Sequence, residues 1–167
     1  MPVSPDELFA FFDQLGIAHQ TTPHRPLFTV ADGVDLHDSL PGLHCKNLFL
    51  KDKKGQLWLV VMPGDKRADL ASLAEKTGAV KFSFGKPDLL QEILGIPPGS
   101  VTPFALMNDT QKAVKVVLDC DMMAAELVSY HPLHNAASTA IASRDLSKFL
   151  RALGYEPLMI DCGISQE

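Results

Sequence analysis

Lys46 and Asn47 are the pair best placed to do chemistry in this chain of 167 residues. They stand directly before the apolar run Leu48-Phe49-Leu50, and a charged turn through Lys51, Asp52, Lys53 and Lys54 leads on to Gly55. Short apolar runs of this kind form strands that are buried on both faces. A cation and an amide at the mouth of such a strand can be held rigidly beside a cleft. The competing reading is an ordinary surface lysine at a strand end.

A second candidate is the loop Gly95-Ile96-Pro97-Pro98-Gly99-Ser100-Val101-Thr102-Pro103. Its prolines stiffen it and its glycines allow close approach to a ligand. Gly99, Ser100, Val101, Thr102 and Pro103 can direct several backbone N–H groups into one cavity, as a carbonyl or oxyanion cradle does. They can equally form a rigid helix-to-strand connection. A third candidate is His131 with His134. Pro132 prevents a regular helical display of the two and no third ligand is evident, so no metal site is expected. A single working histidine, as hydrogen-bond partner or proton carrier, fits better. Cys45, beside Lys46, reads either as a low-pKa nucleophile or as a buried, inert thiol. The chain holds no Gly-x-Ser-x-Gly elbow, no phosphate-binding P-loop and no Gly-x-Gly-x-x-Gly.

Bulk properties bound the rest. Residues 1–167 are expected to form one domain with a real core, since 46 % are apolar and 21 % charged. No apolar run approaches the roughly 18 residues of a membrane span, and the start lacks the pattern of a signal peptide. Three scattered cysteines argue for a reducing compartment, so a cytoplasmic location is expected. The net charge is −5, but residues 44–86 carry nine Lys/Arg against four acids. That segment is about +5 and the remainder about −10, a distribution that suits focused contact with a polyanion, or merely solvated turns and helix faces.

The elements that must position these residues follow from pattern. Ser4, Pro5, Asp6 and Glu7 start a helix that carries Leu8, Phe11, Phe12 and Leu15 inward and stops at Gly16. A strand is expected over 17–22, broken by Pro23 and Pro26. A partly helical stretch covers 29–40. Strands over 46–51 and 57–62 form a hairpin. Helices are expected over 67–76 and 86–94, and strands over 80–84, 104–107, 113–118, 127–130, 138–142 and 156–160. A short helical turn spans 121–126. Ser143 is expected to cap a last helix whose apolar side is Leu146, Phe149, Leu150 and Leu153. The fold class is therefore α/β of the mixed α+β kind: one mixed, mostly antiparallel central sheet, partly barrel-like, surrounded by helices.

Taken together, Lys46-Asn47-Leu48-Phe49-Leu50, the Gly99-to-Pro103 loop before Phe104, and a strand ending at His131 resemble the prolyl-tRNA editing family. This YbaK/ProX group comprises free-standing relatives of the editing insertion domain of bacterial prolyl-tRNA synthetase. Length and the C-terminal extension look closest to the branch acting on Ala-tRNA(Pro). The resemblance implies a cytoplasmic aminoacyl-tRNA deacylase without a cofactor. Its partner would be the acceptor end of tRNA(Pro) carrying alanine, with the synthetase as a second partner. It makes Lys46 the essential lysine and Asn47 its motif neighbour. Gly99 and Pro103 then frame the loop at the aminoacyl group, and His131 is the pocket histidine. Arg25, Phe28 and His134 flank motifs and are weaker pocket candidates. Hydrolysis of Cys-tRNA(Pro) and a non-catalytic tRNA-binding role are the alternatives.

Overall fold

The computed structural model describes residues 2–26 and 40–163. The 29–40 stretch expected to be partly helical, Phe28 among its neighbours, and the tail after Gly163 lie outside the described residues, save Leu40. Helix α1, Pro5–Leu15, begins as its sequence dictates. The Ser4 hydroxyl accepts the Glu7 N–H, the Glu7 carboxylate accepts the Ser4 N–H, and Gly16 closes the helix at φ 71°. Its inner residues Leu8 and Phe12 are fully buried.

Eight strands follow: β1 His19–Pro23, β2 Leu43–Lys51, β3 Leu57–Pro63, β4 Ser83–Phe84, β5 Val114–Asp119, β6 Leu127–Tyr130, β7 Ala137–Ala142 and β8 Leu158–Ile160. They lie in the order β1-β7-β6-β2-β3-β5-β8, with β4 beside β2. The pairs β1–β7, β6–β7, β2–β3 and β2–β4 are antiparallel, while β2–β6, β3–β5 and β5–β8 are parallel. The sheet is thus mixed, as expected. It is also open, with β1 and β8 at its two ends, and does not close into a barrel.

Two apolar layers cover it. The larger core takes Phe49, Leu59, Val61, Val116 and Leu118 from the sheet with residues of α1, of α3 (Pro87–Leu94) and of α5 (Ser143–Ala152). Phe104 is at its centre, meeting Phe12, Tyr130 and Phe149 edge-on at 5.1–5.6 Å. The smaller core lies on the other face, where Leu50, Trp58, Val60 and Met62 pack against Leu73 and Ala74 of α2 (Leu70–Thr77). A short α4, Cys120–Ala124, follows β5. None of the described helices is long and apolar enough to cross a membrane.

Four sequence expectations are corrected. Residues 104–107 are not a strand but part of a 3-10 helix, Pro103–Asn108. Pro103 presets the helical φ and the Thr102 hydroxyl accepts the Phe104 N–H, so start chemistry overrides the apolar run. The strand expected over 80–84 shrinks to two residues because Lys81 adopts φ 50°, which breaks extended geometry. The helix expected from 67 starts at Leu70, since the Asp69 carboxylate caps the Ala71 N–H. Ser143 lies inside α5, not at its cap, and its hydroxyl donates to the Ala125 carbonyl.

Because Phe104 is fully buried among three aromatic rings, Phe104→Ala should lower unfolding stability by about 3–5 kcal/mol. Urea titration followed by circular dichroism checks this.

Candidate active site

Strand alternation decides which side chains meet. On β2, Cys45 and Phe49 face the larger core and Leu48 and Leu50 face the smaller one. Lys46 therefore points to the smaller-core side and Asn47 to the opposite side. The sequence neighbours of the motif are separated by the sheet. In the parallel register of β2 and β6, His44 pairs with Ser129, so these two share the face of Lys46. In the antiparallel register of β6 and β7, Tyr130 pairs with Thr139. Ala140, paired with Ser129, and Ser138 two residues before it share the face of Lys46, and His131, just past β6, has its ring near that of His24, which bonds Ser138. The α2 layer covers only the β2–β3–β5 half, so the site sits where that layer ends.

Lys46 is half-buried and its ammonium donates to the Lys66 carbonyl. Burial lowers its pKa from the ordinary lysine value, and Asp65 opposes that shift. The acceptor is itself fixed. Lys66 extends its ammonium to three carboxylates, Asp119 at 2.8 Å and Asp121 and Asp161 at 2.7 Å. Asp119 is fully buried and also accepts the N–H groups of Met122 and Cys162. Lys66 consequently titrates far above an ordinary lysine despite the cost of burial.

His131 donates from Nδ1 to the Ala137 carbonyl at 3.1 Å. A carbonyl only accepts, so this bond puts the proton on Nδ1 and leaves Nε2 as an acceptor in the neutral ring. Burial lowers the His131 pKa below the usual imidazole value. The Ala137 bond opposes this, and His24 and His134 add to the lowering. The His24 ring lies 6.2 Å from it, centre to centre. His24 donates from Nδ1 to the Arg25 carbonyl at 2.7 Å, and its Nε2 lies 2.8 Å from Ser138 Oγ. Sequence reading missed His24, Ser129 and Ser138. A histidine set between Pro23 and Pro26 was a signal for the first; single serines in strands carry none.

The remaining expected residues stand as follows. Asn47 Oδ1 is buried with no hydrogen-bond partner among the described residues. The Ser100 N–H is spent inside its own turn, on the carbonyls of Pro97 and Pro98. Gly99 takes φ 75°, Val101 packs against the larger core, and Thr102 and Pro103 are buried at the helix start. No hydrogen bond among the described residues joins this loop to Lys46 or His131. Arg25 is exposed and offers its carbonyl to His24. His134 is exposed, its Nδ1 accepting the Ala136 N–H. Phe28 lies outside the described residues. Cys45 is pushed up to about 12 by burial, which leaves it a thiol and removes the nucleophile reading. Among the described residues, no three His, Cys, Asp or Glu cluster as metal ligands.

Comparison with known proteins shows the family and the fold. The aminoacyl-tRNA editing domain profile matches residues 24–149, which include His24, Lys46, His131 and Ser138. The chain is 35 % identical over 148 residues to the prolyl-tRNA editing protein ProX of Acetoanaerobium sticklandii, covering 88 % of this chain and 90 % of that one. It is also 35 % identical over 159 residues to prolyl-tRNA synthetase associated domain-containing protein 1 of Xenopus laevis, covering 92 % and 94 %. In fold it resembles the crystal structure of a protein provisionally assigned as a trans-editing enzyme for prolyl tRNA synthetase. The TM-score is 0.72 at 18 % identity, over 99 % of each chain. The protein APE2540 gives 0.75 at 23 % identity, over 94 % of this chain and 99 % of that one.

Two measurements test the local electrostatics. Lys66→Met leaves Asp119 charged and buried without its cation, so stability should fall by about 3 kcal/mol or more in denaturant titration. The His131 ring, followed by NMR, should titrate below its ordinary 6.5. Its folded pKa is depressed, so the unfolded chain binds the proton more readily. The stability it contributes is complete above 6.5 and is lost as pH falls through the folded value.

Proposed function

The chain belongs to the aminoacyl-tRNA editing domain family, and we propose that it is a trans-editing hydrolase that deacylates mischarged Ala-tRNA(Pro) in the cytoplasm. Water adds to the ester carbonyl, the bond to the ribose oxygen of the terminal adenosine breaks, and the departing oxygen takes a proton. Free alanine and tRNA(Pro) result. The observation that carries the reading is a held cation, Lys46, and a histidine nitrogen fixed as acceptor, His131, on the part of the sheet that α2 does not cover.

The physical need is plain. A synthetase pocket sized for proline rejects the smaller alanine weakly, since a few methylenes are worth only about 1–3 kcal/mol. A second, smaller site can admit alanine and exclude the proline ring. Beyond the apolar residues under α2, this face carries the small side chains Ser129, Ser138 and Ala140. An activated ester asks for positioning and carbonyl polarisation more than for a strong nucleophile. Lys46 stabilises the negative charge that develops as water adds, from the terminal phosphate or ribose side. His131 Nε2 accepts a hydrogen bond from the substrate amine or a ribose hydroxyl. The resemblance implies a 99–103 loop at the aminoacyl group, but here Val101 packs against the larger core and the Ser100 N–H is engaged in its own turn, so the reading rests on Lys46 and His131 and not on this loop. The exposed Lys51, Lys53, Lys54 and Arg67 contact the acceptor-stem backbone and make affinity salt-dependent.

Release of amino acid from Ala-tRNA(Pro), Cys-tRNA(Pro) and Pro-tRNA(Pro) tests this directly. Alanine should be released fastest and proline least. Lys46→Ala should cut the rate by about 10²–10³, the worth of one transition-state donor, while remaining folded. Faster release of cysteine would move the chain to the cysteine-specific branch. A modest, salt-sensitive loss of binding with no turnover in wild type would mark a non-catalytic tRNA-binding protein.

A further inference from the structure

His24 and Ser138 form a hydrogen-bonded pair next to His131 that the mechanism above does not use. Ser138 is 8 % exposed, and its Oγ meets His24 Nε2 at 2.8 Å. The direction of that bond follows from the far side of the ring. His24 Nδ1 is 2.7 Å from the Arg25 carbonyl, which can only accept, so the proton of the neutral ring is on Nδ1. Nε2 is then the acceptor and the Ser138 hydroxyl the donor. With its one proton committed, Ser138 Oγ presents only lone pairs to the site. His131 arrives at the same condition by the same device: Nδ1 is committed to the Ala137 carbonyl and Nε2 is left as an acceptor. The His24 ring joins the two acceptors: it lies 6.2 Å, centre to centre, from the His131 ring and bonds Ser138 Oγ through Nε2.

We propose that Ser138 Oγ and His131 Nε2 together form the subsite for the free α-ammonium of the aminoacyl group, with His24 as the positioning residue that keeps Ser138 an acceptor. A three-donor cation is the group such a pair recognises. A hydroxyl in its place satisfies one acceptor, and an acetylated amine loses its charge and two of its donors. The subsite therefore selects unblocked amino acids and rejects N-acylated ones. This rests on the editing reading, and it specifies which substrate group His131 holds.

Deacylation of Ala-tRNA(Pro), lactyl-tRNA(Pro) and N-acetylalanyl-tRNA(Pro) reads the subsite in turnover. Wild type should release alanine at least a hundredfold faster than N-acetylalanine. Ser138→Ala should lose about ten- to a hundredfold on the alanyl ester, the worth of a hydrogen bond to a charged group, and little on the lactyl ester. Ser138→Thr, which keeps the hydroxyl, should recover most of it. His24→Ala frees the Ser138 proton to point at the substrate and should likewise lower alanyl more than lactyl release. Thermal unfolding confirms that each variant folds. Equal loss on both esters would make the pair merely structural and overturn the proposal, as would equal release of alanine and N-acetylalanine by wild type. Binding of 3′-alanylamino-3′-deoxyadenosine against its N-acetylated form, by calorimetry, separates the two readings. Preference for the free amine without any hydrolysis sinks the editing reading and keeps the subsite; hydrolysis without that preference does the reverse.

Discussion

One lysine holds another. The Lys66 ammonium is gripped by carboxylates from the end of β5, the start of α4 and the end of β8, and the carbonyl of the same residue receives Lys46. The contacts with Asp121 and Asp161 reach solvent and contribute little on their own. The contact with Asp119 is different, because that carboxylate is sealed in the core and ties three strand ends together through Lys66, Met122 and Cys162. Lys46 thus takes its position, through Lys66, from a charge buried at the end of another strand. A backbone acceptor is well suited to holding Lys46, because it fixes the ammonium without neutralising it, which a carboxylate would do.

The same strand shows how adjacent residues are assigned separate work. Lys46 and Asn47 read as a unit in sequence, yet a β-strand sends neighbours to opposite faces. Lys46 goes to the side of the smaller core. Asn47 goes toward the larger core, where its Oδ1 is buried without a partner among the described residues. A buried acceptor left unbonded is costly, so such groups tend to mark a functional demand. Cys45, facing the same way as Asn47, is silent by contrast: burial keeps its proton on, and its thiol donates to the Leu43 carbonyl.

What sequence made legible was whatever is encoded locally. The Ser4–Glu7 capping box, the Gly16 stop, the β2–β3 hairpin and the apolar stripe of α5 are all written within a few residues of where they act. Lys46 was expected at the mouth of its strand, and β2 instead begins three residues earlier, at Leu43, so Lys46 lies within it. The corrected elements were those in which one side chain outvotes a pattern: Thr102 capping the 3-10 turn, Asp69 capping α2, the Ser143 hydroxyl turning to Ala125. His24 and Ser138 were illegible for another reason. They are 114 residues apart, and only the β1–β7 pairing brings them together. A serine in a strand looks the same whether it faces solvent, core or substrate.

The polarity of the site follows from the backbone more than from any charged residue. Both histidines spend Nδ1 on a main-chain carbonyl, Arg25 for one and Ala137 for the other. Those carbonyls stand at the ends of β1 and β7, where ladder pairing stops and oxygens become available. Fixing the tautomer there converts each ring into an acceptor without any second carboxylate, and burial then disfavours protonation of His131. A carboxylate in that role would have raised the imidazole pKa and added a negative charge beside the rings. On the proposed function, a neutral acceptor face beside one lysine suits a substrate that brings its own cation and its own developing anion.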